Sequence, residues 1–193
     1  MSLRDSRTAG GPATAIEKAT AVEVWPLWQR ALHWLLATAV IVALVTYRGG
    51  VLHESAGYLA LLVASLRVLL GFLGPRPARF ASFVRGPAAV LAHARALFGG
   101  QPERHINHTP LGGWMVVALL ALAVIGGASG ALYVTDRFWG DATMISAHAI
   151  ATWSLAALAP LHLLGVLHAS AVHRENLVRA MIDGKKCLPL DAE

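Results

Sequence analysis

Four histidines in this 193-residue chain sit within or at the ends of stretches apolar enough to cross a lipid bilayer. His33 lies in A-L-H-W, His53 in V-L-H-E-S-A-G, His148 in S-A-H-A and His162 in P-L-H-L-L-G. An ionisable side chain in hydrocarbon is costly, so each is a functional candidate. His148 and His162 are fourteen residues apart, which in an α-helix is ~21 Å of rise with nearly the same facing direction. One helix thus presents two imidazoles on one face at two depths. His33 shares the inner depth with His162, and His53 shares the outer depth with His148. Neutral imidazole is a strong iron ligand, and an imidazole pair leaves no coordination position open. The chemistry indicated is electron transfer through two bis-histidine haems rather than oxygen activation.

Neighbouring residues fit the same chemistry. Arg67 follows His53 by fourteen residues, so it faces the same way at the inner depth, where haem propionates need a cation. Arg30 is a second candidate at that level. Gly57, four residues after His53, and Gly165, three after His162, leave room for a flat macrocycle. The lone cysteine, Cys187, and the absence of a C-x-x-C-H motif exclude covalent c-type attachment, so the haems are expected to be b-type. A single membrane histidine is often no more than a helix–helix hydrogen-bonding residue; four at paired depths with a matching arginine argue against that. His168 and His173 read as interfacial. His93, His105 and His108 belong to a connecting loop and read as solvated or capping.

The elements that must carry these residues follow from composition. Hydrophobic residues make up 56% of the chain and charged ones 14%, with a mean hydropathy of +0.56, against about 25% charged in a typical soluble domain. A bilayer core of ~30 Å needs about 20 apolar residues in a helix, and four spans qualify, at 31–47, 53–72, 111–134 and 146–170. The fold expected is an all-α integral membrane protein, a four-transmembrane-helix bundle over 22–186. Residues 1–21 read as a disordered tail without the pattern of a secretory signal, and 187–193 as a C-terminal tail. Short loops make spans one and two, and spans three and four, antiparallel neighbours. The long second loop contains P-A-A-V-L-A-H-A-R-A-L-F, patterned as a short interfacial helix.

The net charge of +5 raises nucleic-acid binding, but the basic residues flank apolar runs instead of forming a basic domain. Arginines and lysines gather in the N-terminal segment, the long loop and the C-terminal tail, while the two short loops offer Arg48 and Arg137. The positive-inside rule places both termini and the long loop in the cytoplasm.

With these residues in view, the chain resembles the bacterial cytochrome b561 family, including the cytochrome b subunits of nickel–iron hydrogenases. The resemblance covers roughly residues 24–186 and rests on V-W-P-L-W-Q-R-A-L-H-W, H-E-S-A-G, R-V-L-L-G-F, A-R-F-A-S-F, H-T-P-L-G-G and H-R-E-N-L-V-R-A-M-I-D-G-K. It implies four helices in a bacterial inner membrane and two haem b groups on His33/His162 and His53/His148. It also implies electron exchange between a membrane quinone and a partner, such as a hydrogenase, a c-type cytochrome or another redox protein. An oligomer is compatible with the sequence.

Two other functions use the same residues. A self-sufficient superoxide:quinone oxidoreductase would employ Arg48 and Arg137 to steer a small anion, and rapid haem reduction by superoxide without a partner distinguishes it. A haem-free metal or proton transporter predicts carboxylates along a membrane pathway, and spans one, three and four contain none. Topology is checked by fusions: a fluorescent protein after Glu193 is expected to fluoresce, and alkaline phosphatase inserted after Arg137 to be active. Inactive phosphatase at that loop would reverse the orientation.

Overall fold

The computed structural model describes residues 20–98, 109–173 and 175–188. In chain order the elements are β1 (Thr20–Glu23), α1 (Leu27–Val45), α2 (Val51–Leu73), α3 (Phe80–Phe83) and α4 (Pro87–Phe98), then α5 (Pro110–Tyr133), α6 (Ala142–His173), α7 (Leu177–Asp183) and β2 (Lys185–Leu188). A 3-10 turn over Arg76–Ala78 precedes α3. Four helices, α1, α2, α5 and α6, are long and apolar enough to cross a membrane. They match the four expected spans, with α1 beginning four residues earlier than expected and α6 extended at both ends.

Local chemistry sets the helix ends. Thr109 caps α5, its Oγ1 accepting from the Gly112 N–H at 3.1 Å, with Pro110 at the first helical position. Asp141 Oδ1 accepts from the Thr143 and Met144 N–H groups at 2.8 and 2.9 Å and so caps α6. The turn from α1 to α2 needs Gly49 and Gly50, at φ +91° and +97°, in the left-handed region that other residues avoid.

The helices pack in the order α1–α2–α5–α6. Their interfaces are built from small residues: Ala39, Ala56, Ala60, Ala64, Ala123 and Ala151 are buried, while Leu62, Leu69, Ile150, Trp153 and Leu164 are exposed. Small residues let backbones approach where lipid removes the usual hydrophobic drive between helices, and the larger side chains face outward as a lipid-exposed surface requires. Ala64, Leu120, Ala123 and Leu155 form a central cluster joining α2, α5 and α6.

The first part of the long loop seals the end of the bundle that also carries the chain termini. Phe80 stacks edge-on with Phe72 and Phe83, at 5.2 and 5.8 Å between ring centroids. Arg79 Nε donates to the Gly74 carbonyl at 2.6 Å, and the Trp114 indole N–H to the Arg85 carbonyl at 2.9 Å. The A-R-F-A-S-F motif is thus a wedge beneath α2 and α5. The interfacial segment expected at P-A-A-V-L-A-H-A-R-A-L-F is helical, as α4.

Two expectations differ from the structure. His93 is not a solvated loop residue: it is 8% exposed, because the helical face of α4 on which it lies turns inward where α4 packs on α5. The expected tails at 1–21 and 187–193 also give up Thr20, Ala21, Cys187 and Leu188 to an antiparallel ribbon, in which Thr20 pairs with Leu188 and Glu23 with Lys185. Each four-residue strand depends on a partner at the opposite end of the sequence, a pairing that no local pattern reveals. The rest of both tails lies outside the described residues.

A Cβ at Gly113 would meet the Phe83 carbonyl oxygen at 2.8 Å, and neither backbone can move freely. Gly113→Ala is expected to destabilise the detergent-solubilised protein by about 1–3 kcal/mol, measured as a lowered midpoint of thermal unfolding.

Candidate functional site

His53 opens α2 and His148 lies in the second turn of α6, and both reach the same end of the bundle, beside the short α1–α2 and α5–α6 turns. Their rings stand 6.0 Å apart between centroids, inclined at 75°. Each is oriented by a backbone carbonyl. His53 Nδ1–H donates to the Ala43 carbonyl of α1 at 3.0 Å, and His148 Nδ1–H donates to the Gly126 carbonyl of α5 at 2.8 Å. A carbonyl only accepts, so these bonds place the proton on Nδ1 and leave Nε2 with its lone pair. This is the arrangement of a metal-ligating imidazole, whose other nitrogen is held by an outer carbonyl. Two imidazoles ligating one iron at about 2 Å each would hold their centroids roughly 6 Å apart.

The pair borders a cavity of about 450 Å³, within the roughly 300–1,000 Å³ usual for cofactor pockets. Glycines make the space: Gly57 of α2 and Gly126, Gly127 and Gly130 of α5 line it. A Cβ at Gly57 meets nothing within 4 Å, while one at Gly130 would strike His148 Nδ1 at 2.9 Å. Tyr47, Tyr58, Tyr133 and Trp139 supply an aromatic wall, with Tyr133 and Trp139 stacked at 5.9 Å. Arg48 lines the cavity as well, whereas Arg137 lies over the Phe138 ring at 5.5 Å.

At the other end of the bundle, His33 of α1 and His162 of α6 are both half-buried. His33 lies near the start of α1, and His162 and Arg67 toward the C-terminal ends of α6 and α2, so the antiparallel run of the helices brings all three to the same end of the bundle. Pro160, two residues before His162, sits inside α6; it cannot donate to the Ala156 carbonyl, which locally loosens the helix that bears His162. Arg67 Nη1 is buried without a hydrogen-bond partner. A guanidinium in an apolar bundle requires a counter-charge, and a carboxylate-bearing ligand seated between His33 and His162 would provide it. Arg30 Nη1 donates to the Ile182 carbonyl, while its Nε, like Arg67 Nη1, is buried without a hydrogen-bond partner.

The structure thus brings together His53, His148 and Gly57 at one end, and His33, His162 and Arg67 at the other. Gly165 is exposed with open space at its Cβ, and His168 is exposed. His105 and His108 lie outside the described residues, as does the side chain of His173. Sequence reasoning missed Gly126, Gly127, Gly130 and the Ala43 carbonyl. The first three had a signal in I-G-G-A-S-G, whose glycines at 126 and 130 share one helical face. The carbonyl had none.

Four helices apolar enough to cross a membrane, with His53 and His148 side by side at one end of the bundle, make up a membrane helical bundle of the kind that holds a cofactor between its helices. Comparison with protein families agrees: residues 24–184 match the family model described as prokaryotic cytochrome b561. The chain belongs to the prokaryotic cytochrome b561 family. It is therefore a multi-pass membrane b-type cytochrome, a haem b-binding electron-transfer protein. Comparison with curated proteins and with solved structures returned no match.

Gly130→Val is expected to push the His148 ring out of line and reduce bound haem, read as a lower haem-to-protein ratio after purification. Retention of the full wild-type ratio would show that the Gly130 contact does not set the ring position.

Proposed function

We propose that His53 and His148 ligate one haem b and His33 and His162 a second, so that the chain carries electrons between the two membrane faces. The observation that carries this reading is the His53–His148 pair: two rings 6.0 Å apart, each with Nδ1 bonded to a carbonyl and Nε2 free. Bound haem supplies the reversible one-electron iron couple. The residues of this chain do the rest. The Ala43 and Gly126 carbonyls make their imidazoles stronger donors, which favours the oxidised metal. Arg67 offers its unpartnered Nη1 to a propionate. Gly57, Gly126 and Gly130 admit a flat macrocycle, and the aromatic wall around Tyr133 and Trp139 limits water.

Membership of the family and histidines at both ends of the bundle support a reading of the chain's place in a redox sequence. It exchanges electrons between a membrane quinone and a peripheral redox protein, with a hydrogenase or a c-type cytochrome as the partner class. It does so in the bacterial inner membrane with both termini in the cytoplasm.

A pyridine haemochrome assay and a redox-difference spectrum on detergent-purified protein test the cofactor assignment. Two haem b per chain are expected, falling to one in His148→Ala and in His33→Ala while the helical circular dichroism persists. A folded protein that keeps both haems in either variant would remove that histidine from the ligand set.

A further inference from the structure

α1 and α6 carry His33 and His162, yet the extensive helix interfaces among the described residues are α1 with α2, α2 with α5 and α5 with α6. The histidines must therefore be held opposite each other by something besides direct packing of their own helices. α7 spans this gap. At its start the Leu177 N–H donates to Ser170 Oγ of α6 at 3.2 Å, and the Glu175 N–H to the Ser170 carbonyl at 3.1 Å. At its end the Trp34 indole N–H donates to the Met181 carbonyl at 3.0 Å, and the Arg30 guanidinium to the Ile182 carbonyl. Trp34 directly follows His33 in sequence, and Arg30 precedes it by about one turn. The last carbonyls of a helix lack intrahelical donors and carry its negative pole, so a cation and an indole N–H are suited to them.

Gly184 locks this end. It caps α7 at φ +81°, and its carbonyl accepts from the Val24 and Trp25 N–H groups at 2.9 and 3.2 Å. A Cβ there would meet the Trp25 carbonyl oxygen at 2.7 Å and Arg30 Cζ and Nε at 3.1 Å. The position thus excludes a side chain twice, by backbone conformation and by space.

We propose that α7 and Gly184 form a clasp that sets α1 against α6, and hence His33 opposite His162, with Arg30 and Trp34 as its positioning residues. The inference rests on the assignment of His33 and His162 to one haem. It gives Arg30 a role that Arg67 does not share, holding the end of α7 through Nη1.

A double-mutant cycle on the full-length, haem-loaded protein tests it, using Arg30→Gln, Gly184→Ala and the pair, with Trp34→Phe as a milder variant. The readouts are the low-spin electron paramagnetic resonance signal and midpoint potential of the inner haem, with the outer haem as internal control. The clasp predicts that Arg30→Gln and Gly184→Ala shift the inner signal alike, that the pair shifts it no further, and that Trp34→Phe gives a smaller shift in the same direction. Contacts in one network are non-additive in this way. Additive shifts, or an unchanged inner signal in both Gly184→Ala and Trp34→Phe, overturn the proposal. His33→Ala tests the ligand assignment by itself: if both haems are retained, that assignment fails, whatever the cycle shows.

Discussion

An imidazole N–H held within a helical membrane bundle has no bulk water to donate to, so the protein itself must supply the acceptor. Most helix carbonyls are already engaged by the backbone four residues on, and few acceptors remain. His53 takes the Ala43 carbonyl, in the last turn of α1, where carbonyls lack intrahelical partners. His148 takes the Gly126 carbonyl, within α5, at a point where glycine leaves the backbone uncovered. These two bonds settle which nitrogen keeps its lone pair, and therefore what the pair can bind. Helix ends, crossing points and glycine positions at this end of the bundle are all consistent with keeping both bonds intact.

The same economy of space shapes the packing. With the buried described residues mainly alanines and glycines, and with glycines at 126, 127 and 130 facing the neighbouring helices, backbones come close without a large apolar core. Close backbones leave little freedom for individual helices, which suits a protein whose task is to hold ligands still. Larger side chains turn outward, where lipid is as good a solvent for them as protein. The cavity beside His53 and His148 is the exception that small residues permit: Gly57 and the α5 glycines withdraw from it together.

The opposite end of the bundle solves a different problem. There the chain termini, the long loop and α7 converge, and polar groups are satisfied by long-range contacts rather than by local capping. Trp114 reaches Arg85, Trp34 reaches Met181 and Arg30 reaches Ile182. In the exposed part of this region the Lys185 backbone N–H, with help from Arg179, holds the Asp183 carboxyl below its usual range. Trp34 and Trp114 thus act as hydrogen-bond donors to helix-end and loop carbonyls, a role suited to a side chain with an apolar body and one polar edge.

How far the sequence alone could go differs between the two ends of the molecule. Four spans, their antiparallel pairing, the amphipathic α4 and the grouping of His53 with His148 were legible, because hydrophobic length and helical periodicity are local and bilayer thickness is fixed. The fourteen-residue spacing on α6 already put two imidazoles on one face. Tertiary structure decided the partners of those imidazoles, because a carbonyl on another helix leaves no trace in side-chain pattern. It decided the burial of His93, which depends on how α4 lies on α5. It also gave Arg30 a carbonyl acceptor at the C-terminal end of α7, which spacing alone does not reveal: a guanidinium binds whichever acceptor the fold delivers. Sequence thus determined which polar side chains stand at each end of the helical bundle, because helical rise is fixed by residue number, while long-range contacts determined what each polar group faces.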